Sequence, residues 1–577
     1  PGGELAGRLG HGPTPPPDPF VPPTAPTVAP DAGEATRFLS QASFGALGAE
    51  LQDLDTLDFA DWLDAQLALP PTHHLPYVET RRAEMLARTD GDSDGWQTPR
   101  QEAFWQHALT APDQLRQRMA FALSQILVIS QFGPLDVDHV GTTLYYDMLL
   151  DHAFGNYRDL LEEVTLSPMM GTYLSMMRNQ KPDPETGHEP DENYAREIMQ
   201  LFSIGLVRLH PDGSPVLDAE GRPIPSYTQD ETVALAHVFT GWGPHWDPND
   251  PPRWSNGSLA DPAGWFRWGR DPLRPMSFYP DFHDQEDRLI VGGVTVPGTL
   301  DGEARMAMAL DALFHHPNVG PFLARNLIQR FVTSNPGPGY IQRVAEVFND
   351  NGQGVRGDLG AVIRAILLDP EARHPAYRES LTQGKPDEPV LRMARMLRGL
   401  DLQPAKAGDP RYFLSYQYGL PEQAPLQSPS VFNFFQPVYQ HPGPISDAGL
   451  LSPEFQIFSE TTGIRQANAI FNALNWGIWT PEPDDEGENL VLRLNFTPWV
   501  QLLNTQDLDP AEAQNLLLDH LDALFLHGDM RPDLRQGILE AYASLPSWFD
   551  TSEERQIQRV RMALYLILTS PEAFVTR

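Results

Sequence analysis

Residues 315–373 read HHPNVGPFLARNLIQRFVTSNPGPGYIQRVAEVFNDNGQGVRGDLGAVIRAILLDPEAR. The stretch is a run of amphipathic helices joined by tight Pro, Gly and Asn punctuation, which predicts helices over about 318–333, 338–350 and 357–369. GQGVRG at 352–357 carries glycines but no strand precedes it, so it reads as a helix-to-helix turn and not as a phosphate loop. The same helical pattern extends in both directions. Upstream, Pro112 opens a helix in which Leu115, Met119, Ala122, Leu123 and Ile126 fall at i, i+3 and i+4 spacing. Downstream, residues 452–577 are helical again, and AVIRAILLDPEAR (361–373) is echoed by ALYLILTSPEAFVTR (563–577).

Three segments break the helical pattern. Residues 1–30 are rich in Pro and Gly and lack apolar periodicity, as expected of an extended tether. Residues 207–227 carry turn signals at Asp212-Gly213 and Glu220-Gly221 and read as a β-hairpin, followed by a Thr228-x-x-Glu231 capping box. Residues 241–300 are dense in Trp, Pro, Gly and Asp, a long irregular insert of the kind that serves as a binding loop. The expected fold is mainly α: a large multi-helix body, the small hairpin and the aromatic insertion. The expected domains are a tether at 1–33, a helical core at 34–370, a linker helix and aromatic loop at 371–450, and a C-terminal helical region at 451–577.

Composition narrows the function classes. A hydrophobic fraction of 41% supports a real core, and the net charge is −36. So polyanionic a surface repels nucleic acid and anionic lipid. The chain has no cysteine, which removes disulfides, thiol nucleophiles and thiolate metal sites. No apolar run reaches the length of a membrane span. The chain starts at Pro1 with no signal peptide of its own, so a removed export leader is expected.

Several blocks occur together: RFLSQASFG (37–45), LRQRMAFALSQILVIS (115–130), AFGNYRDLLEEVTLSPMMGTYLS (153–175), DENYAREIMQLFSIGL (191–206), FTGW (239–242), EPVLRMARMLRGL (388–400) and SPSVFNFFQPVY (428–439). With the His315 block they make the chain resemble the bacterial domain-of-unknown-function family 1800 over about residues 34–577. The resemblance implies an exported bacterial protein, periplasmic, cell-surface or extracellular. Members often carry a twin-arginine type leader and are often encoded beside a protein resembling the alkaline phosphatase/sulfatase group. It implies no catalytic residues.

Chemistry must therefore be weighed from the residues. On the 191–206 helix, Asn193, Arg196, Glu197 and Gln200 share one stripe, with Glu192–Arg196 an i, i+4 pair. Glu192 and Glu197, with Arg196 and His237, are candidate acid/base groups; the alternative is an Arg–Glu network that pins helices. His283, Asp284 and His315 are candidate ligands for a divalent metal, although no compact ligand motif is present. Trp242, Trp246, Trp265 and Trp268 can stack on sugar rings or form a miniature core. Three functions stay open: an enzyme acting on an extracellular polymer such as a glycan, a metal-dependent oxidoreductase, and a non-catalytic surface or assembly protein. The last would bind a protein or polysaccharide partner, or a further copy of itself as a homo-oligomer.

Overall fold

The computed structural model describes residues 32–48, 57–88, 97–136, 138–245, 273–380, 382–406, 412, 414, 423–483, 489–506, 508–545 and 552–577. Residues 1–31 of the expected tether and 246–272 of the aromatic insert, with Trp246, Trp265 and Trp268, lie outside the described residues.

The 315–373 stretch folds as Val319–Phe331, Pro338–Asn349 and Leu359–Leu368, closed by a short turn of helix at Pro370–Arg373. Each boundary has a local cause. Pro338 sits in the first turn, where its missing N–H costs nothing, and the Asp358 carboxylate caps the next helix by accepting from the Ala361 N–H. Between them Asp350 Oδ1 accepts from Gly352 and Gly354 N–H, which folds the turn on itself. Gly357 has φ +82° and packs on the Phe314 ring so closely that a Cβ would stand 2.7 Å from it. Leu323, Leu327, Tyr340, Val344, Ile363 and Ile366 face inward and are fully buried. Each such side chain contributes roughly 1.5–3 kcal/mol of burial, which is what holds the three helices together.

Neighbouring elements share that core. One cluster of buried hydrophobics takes members from Ala35 to Ala573. Helix Ala32–Ala42 packs on Pro510–Leu526, and strand Lys385–Pro386 pairs with Val575–Thr576. Arg37 and Arg373 donate to Ala372 O and to the Glu34 carboxylate, respectively, tying the first described helix to the His315 block. The sheets are small: the largest has the order Leu402–Gln403, Asn489–Leu494, Ile478–Pro483. The fold is mainly α.

The 207–227 segment goes beyond a hairpin. Three extended pieces, about 206–210, 214–218 and 222–226, each bond to both others. Val216 N–H donates to Arg208 O, Ile224 N–H to Val216 O, and Arg208 N–H to Ile224 O, closing a triangle. Its two corners are Gly213 (φ +76°) and Gly221 (φ +78°). An eight-residue repeat underlies the shape: Leu209 and Leu217, Asp212 and Glu220, Gly213 and Gly221, Pro215 and Pro223. The Thr228–Glu231 capping box forms as read, and starts helix Gln229–Val238.

The 191–206 helix is not one α-helix. Asn193–Glu197 is α, and Ile198–Ser203 widens to a π-helix. The Ser203 hydroxyl donates to Ile198 O at 2.5 Å, five residues back, and the Ile204 and Gly205 N–H groups both reach Met199 O. Such a wide turn costs hydrogen-bond geometry and frequently sits at a working surface.

Candidate functional site

Glu192 and Arg196 pair with each other, and Glu197 stands apart from that pair. Arg196 donates to Glu192 at 2.6 Å, and Gln229 Nε2 donates to the same carboxylate oxygen at 2.7 Å. Both ion-pair side chains are about one-third exposed, so this is a tie between Asn193–Glu197 and the start of Gln229–Val238. Glu197 turns the other way. It is buried, its Oε2 has no hydrogen-bond partner, and burial lifts its carboxyl to about 7 against the opposing charge of Arg196.

His237, His283 and Asp284 do come together, at the base of the aromatic insert. His237 Nδ1 lies 2.9 Å from Asp284 Oδ2, and Arg288 Nε donates to that oxygen at 2.7 Å. Burial alone would raise the Asp284 carboxyl, but hydrogen bonds from His237 and Arg288 outweigh it and hold the group down at about 2. His283 Nδ1 lies 2.8 Å from Thr240 O, and its Nε2 lies 3.0 Å from Arg305 Nη1. Burial and the nearby Arg305 push the His283 ring below its usual range. Every group in this set already has a partner, and guanidinium groups occupy the positions a cation would take. The set therefore clamps the insert to helices Gln229–Val238 and Gly302–Phe314. Trp242 is buried here against Phe278 and not presented to solvent.

His315 stands apart from this set: it ends helix Gly302–Phe314, with Nδ1 2.9 Å from Asp311 O. Among the described residues no group of three or more His, Asp or Glu is placed to hold a metal ion.

Sequence reasoning missed a pocket of about 140 Å³. Its walls come from four of the quoted blocks. Gln125 and Ile126 come from the 115–130 block, just past the end of helix Gln114–Ser124, and Gln200 and Leu201 sit on the π-helical turn. Pro321, Phe322 and Arg325 come from Val319–Phe331, and the run from Val431 to Val438 supplies the fourth wall. Gly205, at φ +69°, lets the chain pass 3.1 Å from the Phe322 ring at the Cβ position, and the triangular segment adds Val207 and Leu209. The lining is mostly apolar and contains no Asp or Glu. Its two charged side chains, Arg325 and Arg330, are spent structurally: Arg325 Nη2 donates to Gly213 O, and Arg330 donates to Asn326 O and Gln125 O.

Behind the pocket lies a buried ionic group. Gln125 Nε2 and Gln423 Nε2 both donate to Glu388 Oε2. Lys385 Nζ donates to Arg330 O at 2.9 Å and stands 3.9 Å from Glu388 and 4.0 Å from Glu454. Burial raises the Glu454 carboxyl to about 7, with Lys385 opposing. The signal that could have located the pocket was the set of blocks itself, read as segments meeting at one place instead of as separate helices.

No helix among the described residues is long and apolar enough to cross a membrane. No curated protein and no solved structure matches the chain significantly. A family model described as "Protein of unknown function (DUF1800)" matches residues 37–575, nearly the whole length, and the chain belongs to that family.

Proposed function

We propose that this chain is an exported protein that works by binding, as a surface or assembly component, and that the pocket beside the π-helical turn is its receptor site. The observation that carries this reading is the convergence of four separate family blocks on one apolar, acid-free concavity in a chain of net charge −36. Concave apolar sites with a few placed polar groups are the usual form of a ligand site. Of the candidate acid/base groups, Glu192 and Arg196 bond to each other and to Gln229, and His237 bonds to Asp284, which favours binding over acid/base work at these groups. The exported setting rests on the family resemblance.

The test is ligand-detected NMR with indole as a neutral aromatic reporter. Indole should receive saturation from the protein, and Val438→Trp, which fills the pocket, should abolish the transfer. Equal transfer to both proteins would overturn the pocket as the binding site.

One observation favours a second reading, an enzyme acting on an extracellular polymer such as a glycan. Glu197 titrates near neutrality with a bare oxygen, three residues before Gln200 on the pocket wall. A general acid or base is most effective with its pKa near the working pH. A panel of labelled polysaccharides tests it: hydrolysis with an inflection near pH 7 that Glu197→Gln abolishes supports catalysis, and no turnover of any of them counts against it.

A further inference from the structure

The 431–438 wall of the pocket is held through a second segment of the same loop. Gln436 N–H donates to Gln456 Oε1 at 2.9 Å, Ser452 N–H to Tyr439 O at 2.8 Å, and His441 N–H to Ser452 Oγ at 2.8 Å. That segment is in turn fixed to the body. Leu451 exchanges two bonds with the Asn335 amide, and the short turn of helix Pro453–Gln456 packs on strand Lys385–Pro386. Within this contact lies Glu454, only 1% exposed. Its carboxyl has no close cation: Lys385 Nζ stands 4.0 Å away, 3.9 Å from Glu388, and gives a hydrogen to Arg330 O. Glu388 accepts from the amides of Gln125 and Gln423, whereas Glu454 accepts from the Ser334 hydroxyl at 3.1 Å and from its own backbone N–H. That hydroxyl can also turn and accept from a protonated carboxyl. The charges that face Glu454 are thus Lys385, the like charge of Glu388, and Arg330. His441 meets the same segment through the Phe455 ring, 5.1 Å away. Burial outweighs Lys385 and pushes the Glu454 carboxyl up to about 7.

We infer that Glu454 is a proton-held latch on the pocket: while its carboxyl is protonated, 451–456 stays seated and the 431–438 wall closed, and loss of the proton favours opening of both. This rests on the binding reading above and names the regulation of that site. The sign follows from linkage. The seated carboxyl keeps its proton up to about 7, whereas an opened, solvated glutamate gives it up near 4.3. The advantage of the seated form is fully present below the solvated value and is lost as pH rises through about 7. The opening equilibrium should therefore rise about tenfold per pH unit between roughly 5 and 7 and level off above. The bonds of Gln436, Tyr439 and His441 to the segment carry that opening to the wall.

Hydrogen exchange on the full chain, from about pH 5 to 8.5 and corrected for the intrinsic pH dependence of amide exchange, reads the opening directly. Peptides covering 434–457 should show the rise and the plateau, and should exchange faster than helix Val319–Phe331 in the core. Glu454→Gln cannot ionise and should be flat over the same range, whereas Glu197→Gln should keep the slope. Lys385→Met, a second variant, removes the cation that favours the ionised form and should carry the rise past pH 7. A flat wild-type profile, a slope that survives Glu454→Gln, or exchange at 434–457 no faster than in the core overturns the latch. Indole at ten times its Kd should slow the wild-type opening about tenfold. If indole has no effect on a profile that otherwise shows the rise and its loss in Glu454→Gln, the latch stands and the binding reading alone is overturned.

Discussion

A carboxyl group that titrates near 7 inside a folded protein stores a pH-dependent cost. Glu197 is raised by burial from the usual glutamate range to about 7. In the unfolded chain it ionises near 4.3, so the folded form holds a proton that the unfolded form gives up. Its stability contribution is fully present below the unfolded value, is lost as pH rises through about 7, and stays lost above. Glu197→Gln should therefore gain on the wild type as pH rises across 5–8, by at most about 4 kcal/mol, measured from urea midpoints. Asp284 has the opposite sign. Its carboxyl is depressed to about 2, so its contribution is present above the unfolded value of about 3.9 and is lost as pH falls through about 2. Asp284→Asn removes the negative charge that Arg288 and His237 share, leaving Glu286 as the only carboxylate on Arg288, and should cost about 2 kcal/mol at pH 7, with increased proteolysis around 241–300. That His237, His283 and Asp284 belong together was legible in the sequence as chemistry. Their mutual saturation was not, because Arg288 and Arg305 carry no signature of the groups they will satisfy.

At the scale of elements, the triangle formed by residues 206–226 makes a sharp comparison. Gly213 and Gly221 occupy equivalent corners with nearly equal positive φ, but their surroundings differ. A Cβ on Gly213 meets Ile341 Cγ2 at 3.0 Å and Arg325 Nη2 at 3.1 Å; one on Gly221 meets nothing within 4 Å. Gly221→Ala should cost only the backbone strain, about 1–2 kcal/mol, and Gly213→Ala measurably more, because it also presses on Val319–Phe331 and Pro338–Asn349. Denaturant titration of the two single variants checks the order. The helices of the 315–373 block were readable because their burial follows the 3.6-residue period. The third side of the triangle was not readable because its closing bond, Arg208 N–H to Ile224 O, joins residues sixteen apart with no turn signal between its strands; the Leu-x-x-acid-Gly-x-Pro repeat marks two corners plainly. The π-helical turn at Ile198–Ser203 was not readable, since no local pattern marks where the backbone N–H groups shift to carbonyls five residues back.

The whole molecule carries 77 acidic against 41 basic side chains. Buried arginines such as Arg118, Arg305 and Arg330 are matched by buried carboxylates such as Glu102, Glu388 and Glu454, so the acidic excess lies on the surface. Self-repulsion then opposes the compact state, and added salt screens it. The thermal midpoint should rise by several degrees between low salt and 0.5 M, roughly the salt range that shrinks the screening length below 10 Å. A midpoint that falls with salt would instead place the balance in surface ion pairs such as Arg158 with Asp311. Helical architecture was legible at this scale from periodicity. The pocket was not, because it is assembled from segments as far apart as Gln125 and Val438, and nothing in a local pattern encodes that distance.

The pairing of Lys385–Pro386 with Val575–Thr576 also has a bearing on how the chain is made. Arg395 reaches the Ala573 carbonyl, Asp387 N–H donates to Phe574 O, and Arg37 reaches Arg577 O. On the ribosome, the helices of the His315 block can form early, but the groups that await residues 573–577 stay open until translation has passed them and the exit tunnel has released them. Completion of the shared core thus waits for this segment, and a nascent chain stopped by a premature nonsense codon only a few residues short of 573 would keep Arg37 on Glu34 and Arg395 on Asp387 but lose the strand that closes over them, and fall to degradation.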